Sequence, residues 1–296
     1  MDATRDVDVP AAVAFLATHG RVLDRRRLAL LLGHAGPQEV LAALDAHRNP
    51  DGGYGWGLEP DLRDAGSQPV AAMHALEVLV EAADPTEPRA PALLDWLHRH
   101  SLPGGGLPMA LPLADPAGSA PHWAGADPQV PSLQMTAQLA ALAHRLVRVR
   151  TDLAGHPWLA AATAWCLDAI GRLDGRPPAH EVLFALHLLD AVAGSEPRAP
   201  ALLQRLAAHV PASGLLPVEG GAPGEALRAL DLSPDPHGAS RALLDEAAVR
   251  ADLERLAASQ QPDGGWVVGF PPCSPAAALE WRGYETVRVL RLLLPR

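Results

Sequence analysis

Apolar residues recur along this chain at the spacing of an α-helix. Met135, Leu139, Leu142 and Leu146 fall at offsets of four, seven and eleven, on one helical face. Val182, Leu186, Leu189 and Ala193 repeat the pattern, as do Gly283, Val287, Leu290 and Leu294. The periodicity predicts helices near 9–19, 22–33, 37–47, 69–83, 90–100, 132–149, 157–172, 179–193, 199–209, 224–231, 238–259 and 276–294. Within 224–259, Pro234 and Pro236 must break the helix. Trp266-Val267-Val268 is the one strand-like run, too short to found a sheet.

The breaks between helices are as regular as the helices. Glycine-bearing turns recur at Asp51-Gly52-Gly53, Gly104-Gly105-Gly106, Asp174-Gly175, Ser213-Gly214 and Asp263-Gly264-Gly265. Six helix pairs would average about 49 residues each, close to the spacing of several of these turns. One helical hairpin cannot bury its own apolar face; stacked neighbours do so, and closing the stack removes its exposed ends. The expectation is therefore all-α: a single domain over 1–296, built as a closed ring of helical hairpins around a central cavity. The two best-matched turns lie near opposite ends of the chain, which suits a ring whose first and last hairpins meet. Ser67-Gln68-Pro69, Pro131-Ser132 and Ser274-Pro275 each put serine and proline at a helix opening, where serine satisfies an orphan amide and proline costs no hydrogen bond. The loops before them, 48–66, 102–130 and 261–273, are longer than a hairpin needs and are where a site is expected.

Composition narrows the classes. Hydrophobic residues make up 48% of the 296, ample for a large core. All 24 basic residues are arginine, and 34 acids bring the formal charge to −10, which argues against a nucleic-acid partner. Arg25-Arg26-Arg27 is the one basic run, read as the solvated face of a helix with an anion site as the alternative. Two cysteines, Cys166 and Cys273, are too few for a disulfide framework or a zinc cage, and Cys166 reads as a buried, inert thiol. Apolar stretches such as Leu28 to Leu32 are too short to span a bilayer, and the acidic N-terminus lacks the basic start of a secretory signal. A cytoplasmic location is expected.

Two segments match one another. Arg48-Asn49-Pro50-Asp51-Gly52-Gly53-Tyr54 and Gln260-Gln261-Pro262-Asp263-Gly264-Gly265-Trp266 share the form x-Pro-Asp-Gly-Gly-aromatic, each after an amphipathic helix. The aspartate can cap the turn, the glycines supply positive φ, and the aromatic can pack under the next helix. This pattern resembles the Gln-x-x-Asp-Gly-Gly-Trp repeat of the terpenoid-cyclase and protein-prenyltransferase superfamily, which implies an α/α toroid. Gly57-Leu58-Glu59-Pro60-Asp61-Leu62-Arg63, Ser67-Gln68-Pro69, Pro131-Ser132-Leu133-Gln134 and His156-Pro157-Trp158-Leu159 resemble an uncharacterised bacterial branch of it. The acid string Asp-x-Asp-Asp and the magnesium string Asp-Asp-x-x-Asp of the terpenoid synthases do not occur. Pro271 stands where an Asp-x-Cys zinc pair would need aspartate before Cys273. The resemblance thus implies the fold and not those reactions.

The chemistry-bearing candidate is Glu59-Pro60-Asp61-Leu62-Arg63-Asp64. Close carboxylates raise one another's pKa while an arginine holds another ionised, the split that a general acid and its partner need. Glu59, Asp61 and Asp64 are the catalytic candidates; a solvated loop tied down by Arg63 is the alternative. Tyr54, Trp56, His122, Trp123, Trp266 and Trp281, with Arg63, are the substrate-binding candidates, because electron-rich rings can stabilise a cation. Tyr284 lies beside the same loops. Trp158 and Trp165 read as core, His74 and His187 as ordinary helical side chains, and no histidine pair has metal spacing, so neither metal nor cofactor is expected. Three functions fit: acid-initiated cyclisation or isomerisation of an apolar or isoprenoid-like small molecule, a glycosidase or polysaccharide lyase with paired carboxylates, and a non-catalytic ligand- or partner-binding toroid. The oligomeric state is open. An apolar cavity rimmed by the acids favours the first reading and an open polar groove the second.

Overall fold

The computed structural model describes residues 7–294. Among them are thirteen α-helices and one two-stranded sheet. The first five helices are α1 (Val9–His19), α2 (Val22–Leu31), α3 (Pro37–Leu44), α4 (Pro69–Ala82) and α5 (Arg89–His100). A short α6 (Pro121–Ala124) interrupts the long loop that leads to α7 (Leu133–Val147). Then come α8 (Pro157–Gly171), α9 (Ala179–Val192) and α10 (Ala199–Leu206). The chain ends with α11 (Ala229–Leu232), α12 (Glu246–Ala258) and α13 (Pro275–Leu293).

Helices alternate between an outer and an inner layer. The inner set packs in series, α13 on α2, α2 on α4, α4 on α7 and α7 on α9, with α11 leaning on α9 and α12. Helices α1, α3, α5, α8, α10 and α12 back them from outside. The result is a ring of six hairpins, an all-α toroid. Its fifth inner member is cut down to α11 and a 3-10 turn at Ala239–Leu243, where a continuous helix over 238–259 was expected. The expected helix at 224–231 is also mostly absent: β1 (Leu216–Pro217) pairs with β2 (Ala226–Leu227) instead. Pro234 and Pro236 separate α11 from the 3-10 turn, since each lacks the amide that a continuing helix would use; no proline lies within 224–231 or 238–259. Trp266-Val267-Val268 forms no strand.

Three turns repeat one design. After α3 the turn at Gly52-Gly53 sits on α5, its first glycine against the Ala92 carbonyl and its second against Trp96. After α5, Gly105-Gly106 sits on Ala161 and Trp165 of α8. After α12, Gly264-Gly265 sits on Ala11 and Phe15 of α1. In each case an alanine and the aromatic residue four positions on, one helical turn, receive the two glycines. The closing hydrogen bonds match too: the Asn49, Leu102 and Gln261 amides donate to the Gly53, Gly106 and Gly265 carbonyls, at 2.9, 2.8 and 2.8 Å. The third turn is the one that closes the ring. Gln260 both accepts from the Asp8 amide (2.9 Å) and donates to its carbonyl (2.8 Å), tying the last hairpin to the first. Asp51 and Asp263 cap their turns by accepting from Gly53 and Gly265.

Helix openings follow the expected chemistry at two of three places. Ser132 and Ser274 accept from Met135 and Ala277 amides at 3.1 Å each. Ser67 instead donates to Asp51, bracing the first turn, while Gln68 occupies the cap position of α4. Among the described residues no helix is long and apolar enough to cross a membrane.

Candidate functional site

The loop before α4 turns inward, and all three of its carboxylates are buried: Glu59 at 3% exposure, Asp61 at 6% and Asp64 at 4%. This overturns the reading of a solvated loop. Each acid has a different task. Asp64 accepts from the Gly66 and Ala114 amides and so holds loop to loop. Asp61 accepts from the indole of Trp281 (2.7 Å) and from the Cys273 amide (2.8 Å), while its carbonyl accepts from Ala120 (2.8 Å). It joins the segments before α4, α6 and α13. Arg63 pairs with Glu280 at 2.8 Å. Glu59 alone of the three acids engages a side chain on α4: its carboxylate lies 2.9 Å from Nε2 of His74.

His74 is the centre of the site, and it is not the ordinary helical side chain expected from the sequence. Its Nδ1 lies 3.1 Å from Glu77, one turn further along α4, so the imidazole bridges two carboxylates. Burial pushes its pKa down, but the hydrogen bonds to Glu59 and Glu77 outweigh that and hold it up to about 9. The ring is therefore an imidazolium at neutral pH. Burial also pushes Glu77 up, yet His74, Arg27 and Tyr284 together hold it below the usual carboxylate range. Tyr284 of α13 donates to the second oxygen of Glu77 at 2.8 Å, and its phenol is pushed well up by burial and by that carboxylate.

Aromatic rings gather on the same spot. Trp281 and Tyr284 meet the His74 ring edge-on at centroid distances of 6.1 and 5.2 Å, and Phe270 meets Trp281 at 5.2 Å. Below them lies Arg27, its guanidinium 5.2 Å from the centre of the Tyr284 ring. Arg27 is 4% exposed and pairs with Glu81 through two contacts of 2.8 and 2.6 Å. The Arg25-Arg26-Arg27 run is thus solvated at its first two positions only. Arg27 lies one turn on from Asp24 and so shares its inward face of α2, while Arg25 and Arg26 point outward.

The other candidates lie elsewhere. Tyr54 and Trp266 are wholly buried in the wall as the aromatic ends of their turns, with the Trp266 indole donating to Leu256. Trp56 is 58% exposed and donates to Asn49. Trp123 is the buried residue of α6, and His122 next to it in the same helix is exposed. Of the substrate-binding candidates only Trp281 and Arg63 adjoin the acids. Cys166 is buried and burial pushes its thiol up, as an inert core residue should behave. Among the described residues no group of three or more metal-ligating side chains could hold an ion. Tyr284 had been marked by its place beside the long loops, but His74 and Glu77 had no local signal: their types, on a helix, look like a solvated face.

Comparison with known proteins follows the fold. No protein-family model matches the chain, and no curated protein matches it in sequence. Among solved structures it is similar to a protein from Actinoplanes, with 17% identity over 98% of this chain and 97% of that one and a TM-score of 0.54. It is likewise similar to a variant of the type II terpene cyclase MstE from Scytonema, solved with geranylgeranyl dihydroxybenzoate as its substrate. There the identity is 14% over 99% and 96% of the two chains, with a TM-score of 0.54. The chain has a terpenoid-cyclase-like α/α toroid fold.

Proposed function

We propose that this protein is an acid–base enzyme that isomerises or cyclises a small, largely apolar, isoprenoid-like molecule, with the His74 imidazolium as proton donor. The observation that carries this reading is the buried Glu59–His74–Glu77 bridge beside Trp281 and Tyr284. A donor whose pKa is about 9 is a mild acid. It is matched to an oxygen function such as an enone, an epoxide or a carbonyl, and is too weak to protonate an isolated alkene. Both ring nitrogens face carboxylates, so donation requires one N–H to leave Glu59 or Glu77; those carboxylates then favour reprotonation, and the same ring can take back the proton that the product loses. Neither reaction changes the composition of the substrate. Neighbouring aromatic rings can stabilise positive charge that develops on the way. The terpene cyclase neighbour holds an isoprenoid-tailed molecule, which supports this substrate class here.

The polar contacts of Asp61 make it a positioning residue in this reading, holding the Trp281 indole. A glycosidase would need one protonated carboxyl opposite an ionised one. The low pKa of Glu77 and the full occupation of Asp61 and Asp64 do not favour that arrangement. The test is incubation with a panel of isoprenoid enones and epoxides in heavy water. The expected product has the substrate's mass plus deuterium, and His74→Gln lowers its rate by roughly 10²-fold or more. Product formed equally fast by His74→Gln would end this reading.

A further inference from the structure

The hydrogen-bond donors around His74 are all turned on carboxylates. The imidazolium directs Nε2–H at Glu59 and Nδ1–H at Glu77, at 2.9 and 3.1 Å. Arg27 gives Nε and Nη2 to Glu81 at 2.8 and 2.6 Å and turns Nη1 toward Asp24. The Tyr284 hydroxyl donates to Glu77 at 2.8 Å, and the Trp281 indole to Asp61 at 2.7 Å. Arg63 forks onto both oxygens of Glu280. Every donor group here is thus engaged.

Acceptors are not used up in the same way. A carboxylate oxygen can accept two hydrogen bonds, and a phenol oxygen keeps lone pairs besides its one proton. Glu59 accepts from His74 and from the Asp61 amide at 3% exposure, and Asp61 is filled by Trp281 and Cys273, so both acids are closed. Glu77 accepts once on each oxygen, from Tyr284 on Oε1 and from His74 on Oε2. Its side chain keeps 20% of its surface open, against 5% for His74. The Tyr284 oxygen, on a half-buried side chain, receives no hydrogen bond from a described residue. The open polar valences of the site are therefore lone pairs on Glu77 and Tyr284. Beside them Phe270 meets Trp281, and Trp281 meets Tyr284, at ring distances of 5.2 and 5.5 Å, and none of the three rings belongs to either hydrophobic core.

We propose that this corner takes its ligand through a hydroxyl: an isoprenoid-like molecule presents an O–H donor to Glu77 and lays its apolar body on Trp281 and Phe270. This rests on the reading of His74 as the reactive centre and names the form of the substrate held there. An enone whose oxygen receives the His74 proton, while its γ-carbon returns one to the ring, becomes a dienol, which is such a donor. The Glu77 acceptor then complements the enol rather than the enone, and binding that favours the species formed along the reaction is what lowers a barrier. Other polar groups fit worse. A carboxylate or diphosphate would find no free N–H or O–H and would meet the charges of Glu59 and Glu77. An ammonium would meet the His74 ring 3.1 Å from Glu77 and the Arg27 guanidinium 4.0 Å from it, both cations.

The experiment is calorimetric titration of the full chain with farnesol, farnesyl methyl ether and farnesylamine, which share one apolar chain and differ in the head group. The wild type is expected to bind farnesol at least about tenfold tighter than the ether, which has lost the donor, and tighter than the amine. Glu77→Gln, which replaces the ionised acceptor, should bring the alcohol-to-ether ratio below about threefold. Glu59→Gln, which removes the same charge from the other side of His74, should keep the ratio. Equal affinity of the wild type for alcohol and ether, a ratio that survives Glu77→Gln or falls as far in Glu59→Gln, tighter binding of the amine, or no farnesol binding up to about 1 mM would each overturn the proposal. The wild-type ratio decides it even if Glu77→Gln does not fold. If the alcohol is preferred through Glu77 but His74→Gln turns substrate over at the wild-type rate, the assignment of His74 fails while the hydroxyl site stands. If His74→Gln is slow while alcohol and ether bind alike, the hydroxyl site fails and His74 stands.

Discussion

Nε2 of His74 stands 2.9 Å from a carboxylate oxygen of Glu59, and the two side chains are 5% and 3% exposed. Fifteen residues separate them, with a loop and the first turn of α4 between. A histidine so placed couples the protonation of the site to the stability of the ring, and this has measurable consequences.

The first is pH dependence. His74 has its pKa raised from 6.5 to about 9, so its contribution is complete below pH 6.5 and is lost as the pH rises through about 9. Unfolding free energy should fall over that window by an amount on the order of 3 kcal/mol. Denaturant titrations at pH 6, 8 and 10 read this directly. In His74→Gln the slope over the same window should vanish; a slope that persists would assign the effect to another group.

Asp61→Asn should lower stability rather than act silently. The carboxylate accepts from both the Trp281 indole and the Cys273 amide, and an amide group can serve only one of these donors. A loss of about 1–3 kcal/mol is expected, with a shift in tryptophan fluorescence as Trp281 is released. An unchanged melt together with a roughly 10²-fold slower reaction would return Asp61 to the role of general acid.

Arg27 and Arg26 are neighbours with opposite fates. Arg27→Ala removes the closer of the two arginines on the buried Glu81, which keeps Arg291, while Asp24 keeps Arg21; the lost pair should cost about 1–3 kcal/mol. Arg26→Ala alters an exposed side chain and should stay within about 0.5 kcal/mol of the parent. Equal melting temperatures for the two variants would contradict the placement of Arg27.

The repeated turns can be tested by strain. Gly52 and Gly264 have φ of 93° and 92°, and a side chain at either would also press on the carbonyl of Ala92 or Ala11. Valine at either position should cost about 1–3 kcal/mol. Gly269→Ala, which meets open space, is the matched control. Thermal melts that do not separate Gly52→Val and Gly264→Val from this control would show that the turns tolerate a side chain.

The sequence by itself determined the local elements and the ring. Helical spacing marks the faces of α7, α9 and α13, and the paired Pro-Asp-Gly-Gly turns mark hairpins that pack on the next outer helix. The crowded acids at 59–64 also stood out by local density. What it could not carry is which polar faces look inward. On an isolated hairpin a stripe such as His74, Glu77 and Glu81 reads as solvated, because water is the default neighbour of a polar face. Ring closure reverses that default. Once α13 meets α2, the polar stripes of the inner helices face one another and residues some two hundred positions apart pair, as Glu77 does with Tyr284 and Asp61 with Trp281. Asp61 and Glu59, two positions apart in one loop, are divided by the same packing: one ties Trp281 in place, the other faces the histidine. Only the tertiary structure decides this, because burial and long-range pairing set the charge of a side chain, and neither is written in its neighbours along the chain.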